Sequence, residues 1–230
     1  MNSCSRRRDN HQVVTTTNFG QVVTTTNFGK FTFGTVFELT AAGKLTTLYN
    51  FCSLTDCGDG NGAVAGLVHA TDGNLYGATN GGGAEGFGTL FEITPGGKFT
   101  TLYSFCSQKD CADGVQPERA DLLQATDGNF YGTAGDGPNG AVGEVFVLKT
   151  GLVPFLKTQP TVGAVGAAVT ILGNSLTSAS SVTFNGTAVT FKVVSSCEIT
   201  TTVPSGASTG PLKVVTPGGT LISDVNFQAK

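Results

Sequence analysis

The chain has 230 residues, a formal charge of −3 and only 13% charged side chains. That balance excludes a highly charged disordered tail, and it lacks the basic excess with which a nucleic-acid binder grips phosphates. With 33 glycines, one methionine and no tryptophan, the mix favours strands and turns over helices, and no apolar run approaches the roughly 20 residues of a membrane span.

In chain order, Arg6, Arg7 and Arg8 look like the basic start of an export signal. Asp9-Asn10-His11-Gln12 comes next where an apolar stretch is needed, so no signal peptide is present as written. Residues 12–20 (QVVTTTNFG) recur letter for letter at 21–29, the mark of a recent duplication or an assembly artefact. Residues 1–20 are predicted to be a disordered leader carrying this duplicated segment, with the natural N-terminus truncated or misassigned.

Self-similarity organises residues 21–149. GTVFELT at Gly34 returns as GTLFEIT at Gly88 and, degraded, as GEVFVL at Gly143. GKLTTLYNFC at Gly43 returns as GKFTTLYSFC at Gly97, and ATDGNLYG at Ala70 as ATDGNFYG at Ala125. The spacing is 54 residues for the early landmarks and 55 for the later ones. Two full units (34–87 and 88–142) are flanked by partial units at 21–33 and 143–149. Each predicts four strands, in the first unit Thr35–Thr40, Lys44–Phe51, Leu67–Ala70 and Asn74–Thr79, with hairpin turns at Ala41-Ala42-Gly43 and Asp72-Gly73. Four antiparallel strands per repeat describe a β-propeller blade. So few blades cannot close a ring, so the array is an incomplete, propeller-like one that needs further repeats or self-association to cover its faces.

These motifs, with GLVHATDGNLYGATNGGG from Gly66, resemble the bacterial GloVer tandem repeat over residues 21–149. The resemblance implies an extracellular or cell-surface setting and no biochemical activity.

After a linker at 150–153 the texture changes. Residues 34–150 hold 13 acidic and 5 basic side chains, whereas 151–230 hold 2 and 4. Short alternating runs at Ala168–Leu172, Ser181–Asn185, Ala188–Val194, Glu198–Val203, Gly210–Thr216 and Val225–Gln228 predict an immunoglobulin-like β-sandwich over 154–230. Val169, Ile171, Val182 and Phe184 alternate toward its core, and Gly173-Asn174 and Asn185-Gly186 supply turns. From Pro160 through VTILGNSL, SVTFNG, ITTTVP and VVTPGG to Phe227, these residues resemble an IPT/TIG domain. Some relatives grip DNA with basic loops; residues 151–230 contain no arginine and four scattered lysines, so no nucleic-acid partner is expected.

Cys52 and Cys57, and Cys106 and Cys111, occupy equivalent repeat positions, each pair bracketing a four-residue polar stretch. One disulfide stapling each loop is expected, against a four-thiolate zinc site or free thiols, because zinc pairs usually have closer spacing. Cys4 and Cys197 have no partner in the pattern. Asp59 and Asp113, each in an Asp-Gly pair just past a cysteine loop, are the calcium candidates, although Asp-Gly also simply makes a turn.

Catalytic constellations are missing from the pattern. His69 is replaced by Gln124 in the second unit, and the repeat-equivalent Glu38 and Glu92 give way to Val147 in the third, which suits exposed strand positions. Tyr49, Tyr76, Tyr103 and Tyr131 are expected to pack between blades, with sugar stacking as the alternative. The expectation is an all-β, non-enzymatic bacterial secreted or cell-surface repeat protein with a binding, adhesion or display role, requiring no cofactor and meeting a surface ligand such as a polysaccharide or protein. The alternative is the accessory carbohydrate-binding or spacer portion of a larger extracellular carbohydrate-active enzyme.

Overall fold

A computed structural model describes residues 33–63, 66–117, 122–135 and 143–230, together with the backbone of 13–16 and 21–26. Cys4 and most of the expected leader lie outside the described residues. The chain divides into two units, the residues up to Gln124 with Phe130–Leu148, and Ala125–Asn129 with Lys149–Lys230.

The first unit consists of antiparallel sheets. Strands β1 (Val13–Thr16), β2 (Gln21–Thr26), β3 (Thr35–Thr40) and β4 (Leu45–Asn50) form the first, in that order. The second contains β5 (Asn61–Ala63), β6 (Val68–His69), β7 (Leu75–Gly81), β8 (Thr89–Ile93) and β9 (Phe99–Ser104), ordered β5-β7-β8-β9 with β6 also pairing β7. The third contains β10 (Leu123–Gln124), β11 (Phe130–Ala134) and β12 (Glu144–Leu148). Strand β1 falls inside the expected leader and pairs with β2 from Val13↔Thr25 to Thr16↔Val22, because the duplicated segment carries the same β-branched run twice.

The predicted strands are present, but their grouping differs from one blade per repeat. Strand β7 closes one repeat and β8 opens the next, yet they are hydrogen-bonded neighbours from Leu75↔Ile93 to Thr79↔Thr89. The second sheet therefore joins the last strands of one repeat to the first two of the next, and the third sheet joins β10 and β11 to β12 across the following repeat boundary. Local connection explains this, since only the seven residues 82–88 separate β7 from β8, and strands consecutive in the chain are usually neighbours in an antiparallel sheet.

Aromatic rings at fixed repeat positions hold the sheets face to face. Phe51 meets Phe91 edge-on at 5.1 Å, and the same pair one repeat later, Phe105 and Phe146, meets at 5.3 Å. Val36, Leu67, Leu75 and Ile93 join Phe51 and Phe91 in one buried cluster, each large side chain contributing about 1.5–3 kcal/mol by leaving water. The Phe91 ring has room because its cross-strand partner is Gly77. A Cβ there would sit 2.5 Å from Phe91 Cζ and 2.6 Å from Leu67 Cδ2. Gly132, opposite Phe146, makes the same accommodation.

The second unit is a sandwich. Its strands are β13 (Lys157–Gln159), β14 (Val162–Gly163), β15 (Ala168–Leu172), β16 (Ser181–Phe184), β17 (Thr187–Val189), β18 (Phe191–Ser195), β19 (Glu198–Thr202), β20 (Leu212–Thr216), β21 (Gly219–Ile222) and β22 (Gln228–Ala229). One sheet runs β13-β15-β19-β18 and the other β17-β16-β20-β21, while β14 pairs β22 in parallel. Val169, Ile171, Val182 and Phe184 point into the core as their alternation predicts, with Leu156, Leu212 and Phe227. The run expected to be one strand at Ala188–Val194 is two, because the chain changes sheets at Thr190. The carbonyl freed there accepts the Thr201 hydroxyl at 2.7 Å.

Candidate functional site

The two cysteine loops are the most elaborate features of the repeat unit. Both close as disulfides, Cys52–Cys57 and Cys106–Cys111. Within each lies one 3₁₀ turn, Thr55–Cys57 or Lys109–Cys111, with an aspartate in the left-handed region at its centre. Asp56 has φ 54° and ψ 25°, and Asp110 has φ 57° and ψ 25°. Both flanking cysteines also take positive φ in each loop. Such backbone costs about 1–2 kcal/mol per residue, and it persists because the loop is tied at more than one point.

The second tie is a buried carboxylate. Asp59 is 0% exposed. Its Oδ2 accepts from Tyr49 Oη at 2.7 Å, from the Ser53 N–H at 2.9 Å and from Ser53 Oγ at 2.8 Å, while Oδ1 accepts from the Leu54 N–H at 3.2 Å. The second copy reproduces this with Tyr103 and Ser107 donating to Asp113 Oδ2 and the Gln108 N–H to Oδ1 at 3.1 Å. Four donors fill the roughly four acceptor positions of a carboxylate. Both calcium candidates are thereby committed to hydrogen donors, whereas a cation would need neighbouring oxygens turned toward it. Among the described residues, no group of three or more His, Cys, Asp or Glu side chains is placed to hold a metal.

The cage sets the electrostatics of the loop. Burial pushes the Asp59 carboxyl up, but the hydrogen bonds from Tyr49, Ser53 and Leu54 outweigh it and hold the group below its usual range. Asp113 is lowered for the same balance of reasons. Tyr49 and Tyr103 are raised, first by burial and then by hydrogen bonds to their aspartates. At neutral pH the phenols are therefore protonated donors and the carboxylates charged acceptors.

What the frame holds outward differs between copies. Leu54 and Thr55 are exposed in the first loop, and Gln108 and Lys109 take their places in the second. Leu54 is a large apolar side chain left in water.

Beyond the loops, Asp72, Asn74 and Glu92 form a polar chain, Asn74 Nδ2 donating to Asp72 Oδ2 at 2.9 Å and to Glu92 Oε1 at 2.7 Å. Tyr76 Oη also donates to Asp72 Oδ2 at 2.9 Å, and burial, followed by this hydrogen bond and then the Asp72 charge, raises its phenol. Glu92 is thus half-buried and bonded, not merely an exposed strand residue. His69 is exposed, while its counterpart Gln124 is buried and bridges to Thr71, accepting from the Thr71 N–H and donating to its Oγ1, both at 3.1 Å. Tyr49 stacks on Phe99 at 3.9 Å and Tyr76 on Phe130 at 4.3 Å. Tyr131, in contrast, is 36% exposed. Cys197 is a free, exposed thiol.

The sequence pattern of the Gloeobacter/Verrucomicrobia repeat matches residues 9–187, well over half of the chain. The chain belongs to the Gloeobacter/Verrucomicrobia repeat family. An IPT/TIG domain is matched in this repeat protein over residues 156–229. Solved structures similar to it include two from Bacteroides. One is an auxiliary nutrient binding protein from Bacteroides ovatus, 24% identical, covering 32% of this chain and 20% of its own, with a TM-score of 0.29. The other is SGBP-B from a complex xyloglucan utilization locus in Bacteroides uniformis, 14% identical, covering 60% of this chain and 35% of its own, with a TM-score of 0.29. This Gloeobacter/Verrucomicrobia repeat protein therefore spans about a fifth of the first and about a third of the second. No curated protein matches the sequence.

Proposed function

We propose that this Gloeobacter/Verrucomicrobia repeat protein is a non-enzymatic, exported bacterial binding or display protein, whose cysteine loops present variable side chains to a surface ligand, a polysaccharide or a protein. The observation that carries the reading is the division of labour within each loop. Tyr, Ser, Asp and both Cys are repeated and consumed by the frame, while the outward residues change from Leu54-Thr55 to Gln108-Lys109. A rigid frame with changeable tips suits recognition, because binding then costs little ordering entropy. Paired disulfides suit an oxidising compartment, and among the described residues no helix is long and apolar enough to cross a membrane. We further take 21–149 as the repeat domain, 150–153 as a linker and 154–230 as the sandwich.

The test is affinity electrophoresis of the full chain through gels containing individual soluble polysaccharides, paired with pull-down from cell-surface protein fractions. The expected result is retention by one ligand, weakened about tenfold when Leu54→Ala is combined with Gln108→Ala. Turnover of a retained polysaccharide by the purified chain, or cysteines found reduced in the producing cell, would overturn the reading.

A further inference from the structure

We infer that the two cysteine loops and the loop of residues 82–88 form one edge that binds a single extended, neutral polysaccharide chain, with the Phe87 ring as its stacking platform. The inference rests on the binding role proposed above and narrows its ligand to one class. It starts from a recurring aromatic side chain that the core does not take up. Phe33 and Phe87 stand immediately before Gly34 and Gly88, at the head of the two repeats that carry a cysteine loop, whereas the third copy, which carries none, has Val142 there. Phe91 and Phe105 are buried, but Phe87 is 38% exposed. A lone exposed phenylalanine is ordinary. One that comes and goes with the cysteine loop is tied to what that loop does.

The backbone around Phe87 is fastened to both loops. Its carbonyl accepts the Gln116 N–H at 2.8 Å, just past the second cysteine loop, as the Phe33 carbonyl accepts the Gly62 N–H at 2.7 Å just past the first. On the other side, the Gly83 N–H donates to the Cys57 carbonyl at 3.0 Å, and the Ala84 N–H donates to Ser104 Oγ at 3.3 Å. Gly82, at φ 73°, passes so close that a Cβ there would lie 2.5 Å from the Cys57 carbonyl oxygen and 2.6 Å from Gly60 Cα. The loop also closes on itself, the Gly88 N–H donating to Gly82 O at 2.9 Å. Residues 82–88 therefore bridge the first cysteine loop to the base of the second and hold the three at a fixed spacing. A ligand on the Phe87 ring meets both loops with little further ordering of the protein.

The chemistry along this edge selects the ligand. Thr55, Asp56, Glu85, Gln108 and Asp110 are exposed on the same three loops, a mixture of hydroxyl, amide and carboxylate groups. Asp56 and Asp110 recur, yet the cage bonds go to Asp59 and Asp113 instead, so their carboxylates stay available as acceptors. A pyranose ring presents an apolar C–H face beside hydroxyls that both donate and accept. A flat apolar platform with a few donors and acceptors beside it is the complement of that pattern. A protein partner would need a contiguous apolar centre, and here one ring and Leu54 stand among polar groups. Three carboxylates, Asp56, Glu85 and Asp110, against the Lys109 ammonium leave the edge net negative, which repels a polyanion and favours a neutral chain. Contacts spread over two repeats call for a polymer and not a single sugar.

The test is affinity electrophoresis of the full chain through gels containing hydroxyethylcellulose, galactomannan or dextran, and through gels containing the polyanion alginate, with the cell-surface protein pull-down alongside. Retention by at least one neutral polymer and none by alginate is expected. Phe87→Ala and Phe87→Leu are each expected to raise the dissociation constant at least about tenfold, while Phe87→Tyr, which keeps the flat ring, stays within about twofold. Leucine retains apolar bulk, so its failure separates stacking from packing, and the unfolding midpoints of all three variants are expected to match the parent. A captured protein with no retained neutral polymer, preferential retention by alginate, or retention that Phe87→Ala leaves intact while Leu54→Ala with Gln108→Ala weakens it, would each overturn this inference and leave the broader binding role standing. Capture of neither polysaccharide nor protein overturns both.

Discussion

Replacing Asp59 by asparagine is the sharpest probe of the loop frame. The carboxylate is fully buried and takes four hydrogen bonds, two from backbone N–H groups and two from hydroxyls. Asparagine retains one acceptor oxygen and turns an NH₂ group toward donors. The Tyr49 and Ser53 hydroxyls can rotate to accept from it; the Leu54 or Ser53 N–H cannot. One or two charge-assisted bonds are lost at about 1.5–3 kcal/mol each, so Asp59→Asn is expected to cost about 2–4 kcal/mol. Asp113 has the same partners but is only partly buried, so water replaces part of the loss and Asp113→Asn is expected to cost about 1–2 kcal/mol. Urea unfolding followed by tyrosine emission measures both, since all four tyrosines lie between Tyr49 and Tyr131 and the chain has no tryptophan. The cage also fixes the sign of the pH dependence. Asp59 is held below its ordinary range when folded and returns to about 3.9 when unfolded. Its stabilisation is therefore complete above that value and drains away as pH falls through the lowered folded value. Asp59→Asn is expected to flatten this acid-side slope. A loss below about 1 kcal/mol, or one no larger than that of Asp113→Asn, would refute the cage as the source of loop stability.

Other consequences are open to direct measurement. Replacing Cys52 and Cys57 together by serine is expected to cost about 2 kcal/mol through the short loop the disulfide closes, whereas Cys197→Ser, at a free and exposed thiol, is expected to change the melting temperature negligibly. Gly77→Ala is expected to cost about 1–3 kcal/mol in urea titrations, because the new methyl displaces the Phe91 ring and Leu67. In the sandwich, Thr158 buries an Oγ1 with no hydrogen-bond partner, so Thr158→Val is expected to be neutral or to raise stability by up to about 1 kcal/mol in thermal unfolding.

Local pattern is enough for strands and insufficient for their partners. Thr35–Thr40 and Ala168–Leu172 have the bounds their alternation predicts. Strand β5 has no such signal, because Asn61-Gly-Ala shows neither alternation nor β propensity; it exists through its pairing with β7. Which strands share a sheet is a non-local fact, and a repeat of any period can be cut at an arbitrary point, so the repeat boundary carries no information about the sheet boundary. The cage is present in the sequence as Tyr, Ser and Asp at fixed offsets, twice over. It is hard to see there because tyrosine reads as packing and Asp-Gly as a turn, two local roles that hide a shared one. The available signal is contrast, since Tyr49, Ser53 and Asp59 recur while Leu54 and Thr55 between them do not. The role of Gln124 is hidden for another reason, as its partner Thr71 is fifty-three positions away.

The offset between repeat and sheet has a consequence for how such chains change length. Because β7 and β8 come from different repeats yet pair with each other, every junction between copies is stitched by a backbone ladder that any two copies already possess. Unequal crossing-over that inserts or deletes one copy therefore creates no orphan strand in the interior. The two sides of the new joint meet with matching edges, matching Phe–Phe contacts and a glycine under each ring. Array size can drift by whole units without any compensating substitution, and selection is left to act on the outward residues of the cysteine loops.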